Sequence, residues 1–188
     1  MGKITEKTTE RSKFVDTRLV EEELKKFIKK VDANVITFSG TGEPTLAQNL
    51  GDAIDIARKV SRLPIATLTN SSLIDKEEVR DDLAKADIVV GSLDASNEEL
   101  FKKINRPGKE IFFENLVEGM KKFQEKFKGK FSLEIMFVPE NKGFSGEIAK
   151  IARAIKPDEV QINTPLRSSP VRPLTPQELK VVKKASGA

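Results

Sequence analysis

Apolar positions recur at helical spacing from Leu19 to Val31 and then give way to the β-branched run Val35-Ile36-Thr37-Phe38-Ser39, which Gly40-Thr41-Gly42 ends. Leu50, Ile54 and Ala57 carry a helix predicted over Leu46–Val60. Pro64 opens a second strand, Ile65–Thr69. Asp75 followed by Glu78 reads as a capping box for a helix to Lys85. Asp87–Leu93 is a third strand, and helices follow at 96–104 and 113–127, split by the breaker Asn105-Arg106-Pro107-Gly108. Phe131–Val138 is a fourth strand, 145–155 a helix, and Glu159–Asn163 a fifth strand. Thr164–Pro176 holds four prolines and reads as an extended surface segment before a last helix from Gln177.

Strand and helix alternating at this spacing predict right-handed βαβ units and a parallel sheet, either doubly wound or barrel-like. Alternation groups Thr37 with Ser39, Thr67 with Thr69, Ser92 with Asp94, Glu134 with Met136, and Gln161 with Asn163. The opposite phases, Ile36/Phe38, Ala66/Leu68, Val89/Leu93, Leu133/Ile135 and Val160/Ile162, suit packing under helices. A polar phase toward the strands' carboxyl ends favours a partial (β/α) barrel with Ser39, Thr69, Ser92, Glu134 and Asn163 facing one interior. The expected division is a barrel core over 1–163 and a Pro-rich tail with a short helix over 164–188.

Composition narrows the chemistry. The chain has neither Cys nor His, which removes disulfides, zinc fingers, thiol nucleophiles and His-based acid–base work from these residues. No run approaches a membrane span and no secretory leader is evident, so a cytoplasmic protein is expected. Lys+Arg 33 against Asp+Glu 29 leaves a net charge of +4. The lysines interleave with glutamates, as on a solvated helix face, so the charge is weak support for a nucleic-acid partner. Abundant Lys and Glu also hint at a thermophilic source.

The sharpest local signal is Ser39-Gly40-Thr41-Gly42-Glu43-Pro44-Thr45-Leu46, between a strand and a helix. Its glycines permit a tight turn, Glu43 puts a carboxylate at the sheet's carboxyl edge, and Pro44 starts the next helix. An ordinary βα turn with an exposed Glu is the plain alternative. The spacings GxxxxGK(S/T) and GxGxxG are absent.

This segment resembles the Gly-Gly-Glu motif of radical S-adenosylmethionine (radical SAM) enzymes. Leu68-Thr69-Asn70-Ser71, Gly91-Ser92-Leu93-Asp94-Ala95, Ile104-Asn105-Arg106-Pro107 and Asn163-Thr164-Pro165-Leu166-Arg167 agree with that family in order and spacing. Together they look most like the iron–sulfur oxidoreductases related to wyosine-synthesis and molybdenum-cofactor enzymes. The resemblance implies a partial six-stranded TIM-like barrel without its first strand and cluster loop. It implies that Gly42 and Glu43 take the amino group of SAM, and that Ser92 and Asp94 face its carboxylate or ribose. Thr69 and Asn70 stand where the family has Thr-Asn-Gly, with Ser71 in place of the glycine, and Asn163 lies near the adenosine. Thr41 stands where many relatives carry Gly.

The family's [4Fe–4S] cluster is held by three cysteines of a CxxxCxxC loop, and this sequence has none. The opening Gly2–Arg11 resembles the stretch that follows the third of those cysteines. The intact parent is therefore expected to cleave SAM reductively to a 5′-deoxyadenosyl radical, and the chain as given to be inactive. The alternatives are a degenerate barrel serving as a binding or scaffold protein, and an unrelated barrel enzyme using Glu43, Asp94 or Glu134 as acid or base. The substrate, a small molecule or tRNA, is not readable. Arg167 and Arg172 are candidates to meet a phosphate or to anchor the tail. The edge at Val35–Phe38 is expected to be covered by the N-terminal segment or by a second copy in a homo-oligomer.

Overall fold

The computed structural model describes residues 8–40, 42–166 and 170–186. Seven helices and five strands alternate along them: α1 Thr17–Phe27, β1 Ile36–Phe38, α2 Leu50–Val60, β2 Ile65–Thr69, α3 Glu77–Leu83 and β3 Ile88–Ser92. Then come α4 Glu98–Ile104, α5 Phe113–Lys126, β4 Lys130–Met136, α6 Ser145–Ile155, β5 Glu159–Asn163 and α7 Pro176–Ser186. All four strand pairs are parallel, in the order β1-β2-β3-β4-β5. Sequential order decides between the two expected architectures. Right-handed crossovers that never reverse direction lay the crossover helices on one face, whereas a doubly wound sheet needs a switch point. The other face stays free as the interior of a partial TIM-like barrel.

Register shows which residues face which way. Val89, Phe131 and Leu133 lie on the helix-packed phase, each with 0% exposure. They meet Leu83 of α3, Met120 and Phe123 of α5 and Ile148 of α6 in one core. Phe123 stacks on Phe127 and meets Phe131 edge-on, with centroids 4.6 and 5.2 Å apart. Ser92, Glu134 and Gln161 lie side by side on the interior phase. The strand starts are fixed by a repeated device: Asp87, just before β3, accepts the Ile65 N–H at 2.8 Å, and Asp158, just before β5, accepts that of Phe131 at 2.8 Å.

Several sequence expectations need correction. Thr69 pairs with Gly91 and Thr67 with Val89, so both threonines lie on the helix-packed phase, while Ala66 and Leu68 take the interior phase. Ser39 falls beyond β1 and has no sheet register. The helix predicted from Leu46 is a 3-10 turn, Pro44–Leu46, followed by α2 from Leu50. The capping box of Asp75 and Glu78 does not form; α3 starts after Lys76, with no side-chain cap. Arg80 instead donates to the carbonyls of Ile74 and Asp75, at 2.9 and 2.6 Å. The described part of the N-terminal segment does not pair with β1. Ser12 bridges Ala47, and among the described residues β1 pairs with β2 alone.

Ser71 holds φ 64°, in the left-handed region, and its buried hydroxyl has no partner. A Cβ on Gly91 would sit 2.7 Å from that hydroxyl and 3.3 Å from the Phe131 ring. Ser71→Gly is expected to stabilise the fold by about 1 kcal/mol, by removing left-handed strain and an orphaned hydroxyl. Gly91→Ala should cost about 1–3 kcal/mol through overpacking, and less on the Ser71→Gly background. Urea unfolding of the four proteins closes the cycle, and strict additivity would refute the contact.

The tail is tied down by charge. Glu178 and Thr175 cap α7 reciprocally: the Thr175 N–H donates to Glu178 at 2.9 Å and the Glu178 N–H to the Thr175 hydroxyl at 3.2 Å. Arg172 donates to both Glu178 oxygens at 2.9 Å, and Lys142 adds a bond of 2.6 Å. Arg172 thus anchors the tail; Arg167 lies outside the described residues. Arg172, Lys142 and the Thr175 N–H together hold the Glu178 carboxyl well below its ordinary range. Because its folded value lies below the unfolded one, the contribution is present above pH ~4.3 and is lost as pH falls further. Protection of the buried Leu174 and Val182 amides, measured against the intrinsic exchange rate at each pH, should fall below that pH, and at neutral pH in Glu178→Gln. Unchanged protection in that variant would show the capping ring to be idle.

Candidate functional site

The strands' carboxyl ends gather the polar residues singled out in the sequence. Glu43, after β1, turns its carboxylate onto the chain's own donors. Oε1 accepts from the Thr45 N–H (3.1 Å), the Thr45 hydroxyl (2.8 Å) and the Thr69 hydroxyl (2.5 Å). Oε2 accepts from the Asn70 N–H at 2.7 Å. Glu43 therefore caps the 3-10 turn and staples the loop after β1 to the loop after β2. Thr69 reaches it from the helix-packed phase, at the strand's last residue. Gly42 is exposed and an added Cβ would find nothing within 4 Å, so its backbone stands open at the rim. Thr41 lies outside the described residues.

Asp94, two residues beyond Ser92, closes the gap between β3 and β4. Its Oδ1 accepts the Met136 N–H at 2.8 Å and its Oδ2 the Asn105 amide at 2.9 Å. Burial raises the Asp94 pKa, the bonds from Met136 and Asn105 oppose that rise, and the charge of Glu134 adds to it. Asn163 donates its amide to Glu134 Oε1 at 2.7 Å, tying β5 to β4 on the interior face. Ser92 pairs in register with Glu134. The rim thus has two clusters: Glu43, Thr69 and Asn70 on one side, and Ser92, Asp94, Glu134 and Asn163 on the other.

Sequence reasoning passed over Asn141, which is fully buried and binds the backbone of Asp94, Met136 and Val138. Pro139 and Gly143 around it mark a turn, but nothing in the sequence marks the amide as internal. The pairing of Glu134 with Asn163 was likewise not foreseen, although each residue stood out alone.

Residues 3–155 match the radical SAM superfamily. The chain belongs to that superfamily. Among curated proteins it is 32% identical over 190 residues to a UPF0026 protein of Methanocaldococcus jannaschii, covering 98% of this chain and 59% of that protein. It is 39% identical over 155 residues to a protein of Brachyspira hyodysenteriae named GTPase Obg, covering 79% of this chain and 23% of that protein. The chain thus spans about three fifths of the first of these relatives and about a quarter of the second. Among solved structures, that of TYW1 with a lysine-pyruvate adduct bound superposes with a TM-score of 0.68 at 19% identity, covering 91% of this chain and 58% of that one. This last likeness bears on the fold alone.

Membership in the radical SAM superfamily brings an iron–sulfur cluster and SAM into view for intact members. The cluster does not fit the residues present. The sequence offers no thiolate, and among the described residues no group of three or more acidic, Cys or His side chains is placed to hold a metal.

Proposed function

We propose that this chain is the SAM-binding core of a radical SAM enzyme whose cluster thiolates come from outside these 188 residues. In that reading the open Gly42 backbone meets the methionine amino group, Ser92 and Asp94 meet the carboxylate or ribose, and Asn163 stands beside the adenosine. What carries the reading is the gathering of these residues at the carboxyl ends of β1, β3 and β5, the end at which barrel folds build their sites. Glu43 and Thr69 act by holding the Gly42 loop and Asn70 in place. A cluster held by such outside thiolates would supply the electron for reductive cleavage of SAM, and the subtype would be close to wyosine or molybdenum-cofactor synthesis.

Without the cluster, only these polar contacts and adenine packing remain. Each is worth about 0.5–3 kcal/mol against ordering costs of several kcal/mol, which leaves a Kd on the order of millimolar. NMR titration of the chain with SAM should show weak shifts centred on Gly42, Ser92 and Asn163. A version extended upstream by a CxxxCxxC segment and reconstituted anaerobically should turn brown and bind far more tightly. A second reading, a barrel that has given up catalysis and serves as a scaffold, is favoured by the Glu43 carboxylate, whose two oxygens already take four bonds from the chain itself. No chromophore in the extended version would decide for it.

A further inference from the structure

We propose that Asn141 is a positioning residue, whose buried carboxamide locks the chain at Asp94 to the end of β4 and thereby fixes where the Asp94 carboxylate stands at the rim. The side chain is 0% exposed and uses both donors and its acceptor. Nδ2 donates to the carbonyls of Asp94 (2.9 Å) and Met136 (3.0 Å), and Oδ1 accepts the Val138 N–H at 2.8 Å. Met136 closes the ring, because its N–H donates to Asp94 Oδ1 at 2.8 Å.

The placement matters because the backbone ladder runs out here. Leu93 N–H to the Glu134 carbonyl, at 3.0 Å, is the last backbone bond between the β3 and β4 ends. Beyond it the two strand ends are held by side chains: Asp94 accepts the Met136 N–H, and Asn141 donates to the Asp94 carbonyl. A carboxamide is the side chain that supplies two donors and an acceptor in one plane. Aspartate would set an anion against two carbonyls, and serine has a single donor. In a fully buried site such losses are not made good by water.

The proposal rests on the reading of Asp94 as a ligand-facing residue, yet its test separates the two. The proteins are the full chain, Asn141→Ser, Asn141→Ala, Asp94→Asn and the double variant Asn141→Ser with Asp94→Asn. Serine keeps one donor and one acceptor, so it is the variant chosen to fold. Three readouts are followed: exchange of the Met136 amide relative to that of Leu133 inside the ladder, titration of the Asp94 carboxyl, and shifts induced by SAM. The charged group facing Asp94 is Glu134 on β4, with the neutral Asn105 amide approaching from the end of α4.

In Asn141→Ser the Met136 amide should exchange about tenfold or more faster relative to Leu133. The Asp94 carboxyl should titrate closer to the ordinary value of about 3.9. The SAM response should weaken about as much as in Asp94→Asn, with no further loss in the double variant. Uniform loss of protection across the sheet, with Asp94 titrating as before, would make Asn141 a structural amide only and overturn the proposal. If the unmodified chain gives no SAM response, the ligand reading of Asp94 fails, while exchange and titration still decide the role of Asn141.

Discussion

Replacing Arg11 by alanine is expected to lower the unfolding free energy by about 3 kcal/mol, the lower end of the range for breaking a buried ion pair. Its side chain is 10% exposed and that of its partner Asp82 19%. The guanidinium also donates to the carbonyls of Thr45 and Ala47, at 2.9 and 3.0 Å, so it caps the 3-10 turn after Glu43. Asp82 occupies a hollow that exists because residue 51 is glycine; a Cβ there would collide with its Oδ1. Without Arg11 the carboxylate stays in that hollow, and two carbonyls lose their donor. Lys85 lies close enough to Asp82 to feel its charge, which keeps the loss at the lower end. Removing both charges in an Arg11→Met, Asp82→Asn protein should recover part of it, because the desolvation cost goes too. Urea unfolding measures each step. A loss below about 0.5 kcal/mol for Arg11→Ala would mean that the pair behaves as a screened surface contact.

The strand order was legible because each strand is a short β-branched or aromatic run punctuated by Gly, Pro, Asp or Asn, and because the helices between them keep their spacing. Both faces of β2 were not. Ile65-Ala66-Thr67-Leu68-Thr69 alternates small, apolar and hydroxylated residues, and polarity pointed the threonines inward. In the fold this strand lies between β1 and β3 with every residue but Leu68 buried, so Thr67 and Thr69 pack their methyls under the helices while the apolar Leu68 is the residue left part-exposed on the interior phase. Thr69 places its hydroxyl on Glu43, whereas Thr67 leaves its own without a partner. The missing capping box has a tertiary cause as well. A Cβ on Gly119 of α5 would lie 2.7 Å from the Ile74 carbonyl and the Asp75 N–H, so α5 presses directly on this backbone. Together with Arg80 it holds the segment before α3 in turns. At the site, the residues were legible one by one as motif members, but their bonds were not. Whether Glu43 offers its carboxylate to a ligand or spends it on Thr45, Thr69 and Asn70 depends on where β2 ends relative to β1, and that is set by the sheet.

The role of Glu43 follows from which property its variants lose. Glu43→Ala removes the acceptor of two N–H groups and two hydroxyls at once. Thr45 and Thr69 are 1% and 4% exposed, so water does not replace it there. With about 1–3 kcal/mol for each buried group left unpaired, the expected loss is about 3 kcal/mol, alongside faster amide exchange at Thr45 and Asn70. Glu43→Gln keeps one carbonyl oxygen for the Thr45 and Thr69 donors but turns an NH2 toward the Asn70 N–H. Its expected loss is about 1–2 kcal/mol, the cost of one conflicting donor. If Glu43 bound an ammonium group directly, Glu43→Gln would be as stable as the parent and would lose its response to SAM. A staple predicts the reverse coupling: stability and SAM response fall together, more in alanine than in glutamine, because the Gly42 backbone moves when the loops after β1 and β2 come apart. Thermal unfolding and SAM titration of both variants separate the two roles, and a stable Glu43→Gln protein deaf to SAM would return the carboxylate to the ligand.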